Sequence, residues 1–266
     1  MSALALRVLG VGVYAPGLPD WTTAAAALRG EHPPDTTTLP RPSPPLLPAA
    51  ERRRAPETVL YAAQASAEAC AQAGLDPAAL PCVFASAQGD IAINDYMCAT
   101  LASAPLELSP TKFHNSVHNA AVGYWTIATG CRAASTALSA WASNFGNGLL
   151  EAALQAADSG APVLLTIYDT AAVGALQSVI PFDCGFAAAL VLAPDSAQAA
   201  GAQLRLEPAA AGAAAAEPEA DWARALRRRN ASADALLLLQ ALAGAQPARL
   251  DIAAGPDFLL AAEVRP

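Results

Sequence analysis

Charge is scarce in this chain: charged residues make up 14% of its 266 residues against 54% hydrophobic. A chain of that length and composition is too apolar to stay generally disordered and can bury a large core, so one large domain is expected. Long hydrophobic runs are missing as well. The apolar excess is spread out as alanine and leucine, with no stretch of about 18 apolar residues to cross a bilayer. The first ten residues lack a basic segment ahead of their apolar ones and read on as a strand, which argues against a secretory leader and makes the cytoplasm the expected location. The five cysteines, Cys70, Cys82, Cys98, Cys131 and Cys184, lack the paired short intervals of a zinc site and are expected as buried thiols in a reducing compartment. There is no Gly-x-Ser-x-Gly elbow, phosphate loop or dinucleotide fingerprint, and no cofactor is expected. The formal charge of -8 argues against nucleic acid or an anionic membrane surface as a partner. Two basic triplets, Arg52 to Arg54 and Arg227 to Arg229, are read as solvated arginines at helix ends.

What is present alternates strand with helix. Leu6 to Tyr14 is β-rich with two glycines, the profile of a central strand closely approached by other backbone. Trp21 to Arg29 is helical, Pro33 to Pro48 is too proline-rich for regular pairing and must be surface loop, and Thr58 to Ala73 is a helix stopped by Gly74-Leu-Asp-Pro. Further strands are expected at Cys82, as a buried one at Ser135 to Ala140, and at Pro162 to Tyr168 and Phe186 to Leu192, with helices over Ile93 to Ala104 and Leu149 to Ala157. Apolar runs this continuous belong to strands covered on both faces, hence an α/β layered fold. Residues 208–219 are low in complexity and read as a linker, followed by helices over Trp222 to Arg229 and Asp234 to Ala243 and a hairpin around Gly255-Pro256.

Two segments carry a family resemblance. Thr136-Ala-Leu-Ser-Ala-Trp-Ala-Ser-Asn-Phe145 resembles the strand-to-helix elbow of β-ketoacyl synthases, with Trp141 where the nucleophilic cysteine would stand. Ser109-Pro-Thr-Lys-Phe-His-Asn-Ser-Val-His-Asn-Ala-Ala-Val-Gly-Tyr-Trp-Thr-Ile-Ala-Thr-Gly130 looks like the signature of short ketoacyl-synthase-like chain length factors from aryl polyene and related pigment clusters. The order of Leu6 strand, Gly74-Leu-Asp-Pro, elbow, Ala161-Pro-Val-Leu-Leu and Phe182-Asp-Cys-Gly-Phe is also similar to that family's N-terminal half. The resemblance implies a thiolase-like layered fold with helices around a mixed five-stranded sheet. The N-terminal half would be complete within residues 1–200 and the second half truncated to a short helical and hairpin extension, residues 201–266, packed on the same domain.

Indole has no atom that can form a thioester, so the resemblance implies a catalytically silent subunit. Its partner would be an active β-ketoacyl synthase that holds the cysteine thioester, with an acyl carrier protein engaged only indirectly. Trp141 either closes an acyl pocket, with Ser143 and Phe145 as further pocket candidates, or fills core; both readings use the same apolar bulk. The resemblance also puts His114, His118, Tyr124 and Trp125, with the strand Ser135, Thr136, Ala137 and Leu138, against the dimer partner. The four-residue spacing of His114 and His118 would place both on one helix face and invites a metal reading, but no third ligand is at hand, Asp90 and Asp95 lying on another segment. No metal is therefore expected, and the histidines are read as fixing a loop through backbone hydrogen bonds. The alternatives are an independent acyltransferase or hydrolase using Cys131, or a serine such as Ser139 or Ser143, with a histidine as base, and a purely structural homodimer.

Overall fold

A computed structural model describes residues 3–35, 41–196, 200–210 and 217–266. The chain opens with strand β1 (Leu4–Tyr14) and helix α1 (Trp21–Leu28), whose first turn is capped by Asp20 accepting from the Thr23 N–H at 2.7 Å. A short helix α2 (Ala49–Arg54) leads into α3 (Glu57–Ala73), ended by Gly74 in the left-handed conformation that closes helices. Strand β2 (Cys82–Ala85) is followed by α4 (Ile91–Ser103), α5 (Pro110–His114) and α6 (Ala120–Thr129). Then come β3 (Ser135–Leu138), α7 (Asn144–Ser159), β4 (Val163–Asp169) and β5 (Phe186–Pro194). The C-terminal part supplies β6 (Ala202–Ala210), α8 (Asp221–Arg229), α9 (Leu236–Ala243) and the hairpin β7 (Ala248–Gly255) and β8 (Phe258–Arg265). Of the expected 208–219 linker, residues 208–210 belong to β6 and 211–216 lie outside the described residues.

All eight strands join one mixed sheet in the order β3-β2-β4-β5-β1-β6-β8-β7. The first five are the mixed five-stranded sheet of the thiolase-like fold. Strands β3 and β4 run parallel to β2, whereas β5 is antiparallel to both β4 and β1. The extension lengthens this sheet by three antiparallel strands beyond β1. Every residue of β4 and nearly all of β5 are buried, because α3 covers one face and α7 the other. Strands β6 to β8 send Leu204, Leu206, Leu250, Ile252, Leu260 and Val264 into the core beneath α7, α8 and α9, while on the opposite face Leu259 and Ala261 of β8 are buried as well. That face also carries Arg205, Glu207, Arg249 and Glu263 in ion pairs, by the two-residue alternation of a strand.

The glycines of β1 set the depth of the upper layer. A methyl group at Gly10 would stand 2.1 Å from the Ala69 carbonyl oxygen, and one at Gly12 2.0 Å from that of Ala65, so α3 lies against bare backbone. Side chains of α3 also satisfy the strand at this point: Glu68 accepts from the Val13 and Trp21 N–H groups at 2.9 and 2.6 Å, and Gln72 from that of Val11. We expect Gly12→Ala to lower unfolding free energy by about 3 kcal/mol or more through overpacking. Gly123→Ala on α6, where an added methyl meets nothing within 4 Å, should be neutral or stabilising by about 1 kcal/mol. Urea denaturation of the two variants reads the difference.

Candidate functional site

Strand β3 ends in a strained elbow. After Leu138 the chain turns through Ala140 into Trp141, whose φ of 47° is the only positive value at a non-glycine among the described residues. For an L-residue that conformation costs roughly 1–2 kcal/mol, and it persists only where its surroundings over-determine it. They do so here. Ser139 Oγ donates to the Ala87 carbonyl at 3.0 Å, Ala140 N to Asn144 Oδ1 at 3.3 Å, and Asn147 Nδ2 to the carbonyls of Ser143 and Ala254, both at 2.9 Å. A methyl at Gly146 would meet the Ala253 oxygen at 2.1 Å, so α7 sits hard on β7 behind the elbow.

The indole of Trp141 is 61% exposed. The core-filling reading is thereby corrected: the left-handed turn aims the side chain out of the chain. Phe145, 1% exposed, is a core residue between α7 and the sheet, while Ser143 is half-buried. Strand β3 is likewise no buried strand. It stands at the sheet edge, Ser135 exposed and Thr136, Ala137 and Leu138 half-buried, bonded on one side to β2 and, among the described residues, without a strand on the other.

The chain also carries an exposed apolar surface, on α4, α5 and α6, that sequence reasoning missed. Helix α4, Ile-Ala-Ile-Asn-Asp-Tyr-Met-Cys-Ala-Thr-Leu-Ala-Ser, is apolar on most sides, yet only Ile91 and Ile93 are buried. Leu101, Leu106, Phe113, Val117 and Ile127 are exposed, Ile127 by 83%. A helix without a polar face is normally covered, and absent amphipathic periodicity was the available signal. Lys112 over the Tyr96 ring at 3.9 Å, with Ser109 N donating to Tyr96 Oη at 3.1 Å, holds α5 to α4. Between α5, α6 and residues 46–54 runs a groove of about 880 Å³ lined by His114, Val117, Tyr124 and Ile127 among others.

The histidines do not share a helix face. His114 closes α5 and is exposed; His118 lies in the turn before α6, because the chain breaks direction at Asn115. His118 Nε2 is 3.0 Å from the Ser86 carbonyl oxygen, a backbone contact that fixes the loop. Among the described residues no His, Cys, Asp and Glu group could hold a metal ion. Tyr124 donates to Asn115 Oδ1 at 3.2 Å. Trp125 is fully buried with its ring 6.3 Å from Phe84, so it packs the core and cannot face a partner.

Beneath the elbow is a buried polar hub, also not anticipated. Asp169, at the end of β4 and fully buried, accepts from Ser86 Oγ at 2.8 Å, Ser232 Oγ at 2.6 Å, and the Ala87 and Gln88 N–H groups at 3.2 Å each. Burial pushes its carboxyl above the usual aspartate range, and the four donors oppose that shift. Asn230 Nδ2 bridges the carbonyls of Asp169 and Cys184 at 3.0 and 2.8 Å. The sequence signal was an aspartate closing an otherwise apolar strand.

Other candidates are occupied within the chain. Cys131 is buried and donates to the Leu80 carbonyl at 3.4 Å, and Ser139 donates to Ala87; neither thiol nor hydroxyl is directed at a base. The basic triplets do end α2 and α8, but most of their members are engaged. Arg52 donates to the Pro44 and Leu47 carbonyls, Arg54 pairs with Glu51, Arg227 with Glu217 and Asp234, and Arg229 with Asp183. Cys98 is exposed on α4, correcting the expectation that all five thiols are buried. Burial pushes Cys70 and Cys82 up to about 12 and Cys184 to about 11. Brief alkylation of the native chain at pH 8 should therefore label Cys98 alone; peptide mapping reads this, and labelling of Cys131 would reopen its case as a nucleophile.

The sequence matches the family described as β-ketoacyl synthase, N-terminal domain, over residues 21–250. No curated protein matches it. Among solved structures, the ketosynthase ApeO in complex with its chain length factor ApeC from Xenorhabdus doucetiae is similar at TM-score 0.73 and 22% identity, covering 97% of this chain and 99% of that one. The AntDE:AntF complex, a type II PKS acyl-carrier protein with its ketosynthase bound to the hexaketide, is similar at 0.75 and 13%, covering 99% of each chain. The ishigamide ketosynthase/chain length factor is similar at 0.55 and 17%, covering 73% of this chain and 59% of that one. At these identities the likenesses are of fold. No helix among the described residues is long and apolar enough to cross a membrane.

Proposed function

The chain belongs to the β-ketoacyl synthase family through its N-terminal domain, and from that premise we propose that it is a catalytically silent subunit, the chain length factor of an active β-ketoacyl synthase. The observation that carries this reading is an exposed Trp141 in a strained elbow beside the edge strand β3. An elbow normally presents a reactive atom at the positive end of a helix, where a thiolate is stabilised. Indole gains nothing from that field and cannot take up an acyl group. What the conformation still accomplishes is to hold a large apolar surface outside the chain, where a partner's pocket could receive it.

The interface reading rests on β3, whose outer edge is a template for a partner's strand, and on the exposed apolar residues of α4, α5 and α6. Joining two sheets at β3 would continue the backbone ladder, and covering α4 would remove its apolar sides from water. The synthase would hold the growing chain as a thioester and extend it from the acyl carrier protein. This subunit would bound the pocket. An aryl polyene product is favoured by the Ser109 to Gly130 motif, and the likeness to ApeO with its chain length factor is consistent with such a pairing.

Co-expression with a ketosynthase tests both parts. Ile127→Asp leaves the chain's own core untouched, which Ala137→Asp would not, since Ala137 packs against the upper core. A charge there would be desolvated and unpaired in the complex, costing several kcal/mol, and we expect the two proteins to separate on size exclusion; continued co-purification removes α6 from the interface. Trp141→Ala should leave assembly intact and alter the length distribution of the products by mass spectrometry. An unchanged distribution would remove Trp141 from the pocket.

A further inference from the structure

Hydrogen bonds tie the buried hub at Asp169 through residues 86–88 to Leu138 and Ser139, the residues that lead into the elbow at Trp141. On one side of residues 86–89, the Asp169 carboxylate takes the donors of Ser86 Oγ, Ala87 N and Gln88 N, while Ser86 Oγ in turn accepts from Gly89 N at 2.8 Å. On the other side, two of these residues, Ser86 and Ala87, hold the end of β3 and the His118 turn. The Ser86 N–H donates to the Leu138 carbonyl at 3.2 Å, the Ala87 carbonyl accepts from Ser139 Oγ, and the Ser86 carbonyl contacts His118 Nε2. The fourth donor to Asp169 comes from far along the chain. Ser232 Oγ reaches Oδ2, and Asn230 locks the same segment to the carbonyls of Asp169 and Cys184. A fully buried carboxylate is tolerable only while its acceptor sites are filled by donors, and charge-assisted bonds of this kind are the strong ones.

We infer that Asp169 is a positioning residue: through residues 86–89 it sets the Trp141 elbow and the His118 turn in register, and residues 230–232 of the C-terminal extension complete the device. The C-terminal part thus does more than lengthen the sheet. It clamps from below the loop that aims the elbow, and loss of either clamp residue frees Ser139 and the strained turn to relax. For the partner-facing role of the elbow this rests on the function proposed above; the mechanical coupling does not.

Hydrogen-exchange mass spectrometry of the full chain, in whatever complex it purifies, reads the coupling directly. Ser232→Ala removes one donor and is the mild variant; Asp169→Asn places an amide donor among donors and is the severe one. Peptides spanning 84–90 and 137–143 should exchange about tenfold faster in Ser232→Ala, and more so in Asp169→Asn, while those spanning 186–194 on β5 stay unchanged. Ser66→Ala, which deletes the buried bond to Thr166 between α3 and β4, should leave 137–143 as in the parent. Unaltered exchange at 137–143 in Ser232→Ala overturns the inference. So does equal acceleration at 186–194, which would make the hub a general stability element. If the elbow loosens but the co-expressed synthase makes an unchanged product distribution, the positioning stands and the pocket role of the elbow falls.

Discussion

Unpaired backbone at the edge of a sheet is the constraint on which this molecule turns. A strand leaves a row of N–H and C=O groups on each side, and each row must meet another strand, a side chain or water. At one end β1 is continued by β6, β8 and β7, and where β1 runs past β6 the side chains of Glu68 and Gln72 take over its N–H groups. At the other end, among the described residues, β3 has no strand on one side. The polar residues that blunt exposed edges are few here, and α6, which packs against β3, keeps Ile127 exposed. The two ends are finished by opposite means, and only the β7 end, charged with Arg249 and Glu263, is suited to water.

The elbow follows from the same geometry. Because β3 is short and α7 packs hard on β7 through Gly146, the connection must reverse within a few residues, and Trp141 adopts a left-handed conformation that a bulky side chain disfavours. Strain of this kind is maintained when neighbouring bonds over-determine it, and here they run from the buried Asp169 through residues 86–89 to Ser139. Retaining the strained turn without a nucleophile in it makes sense if the turn still has a surface to present.

Much of the architecture was legible because it depends on local chemistry. The two glycines in Leu6 to Tyr14 announced the close approach of other backbone, found as that of α3 at Ala65 and Ala69. Gly74 stopped α3, and the continuous apolar runs at β4 and β5 required cover on both faces. Trp141 was identifiable as the elbow residue because the segment Thr136 to Phe145 resembles the β-ketoacyl synthase elbow. Other readings failed where periodicity was carried past a break. His114 and His118 have helical spacing, but Asn115 ends the helix between them, and the spacing lost its meaning. Trp125 was assigned to an interface from the family resemblance of its segment, whereas the helix turns it inward and leaves Ile127 outside.

By itself, then, the sequence determined the order and type of most elements, β6 and the short helices α2 and α5 excepted, the absence of a nucleophilic atom at residue 141 and the layered α/β class, since each follows from residue identity and short-range pattern. Tertiary structure alone decided which surfaces stay open: that β3 is an edge, that α4 is uncovered despite its composition, that Trp141 points outward. It also decided that Ser86, Asp169, Asn230 and Ser232, scattered over about 150 residues, meet in one buried hub. Exposure and long-range hydrogen bonding depend on which segments the sheet order brings together, and no local pattern in the chain encodes that order.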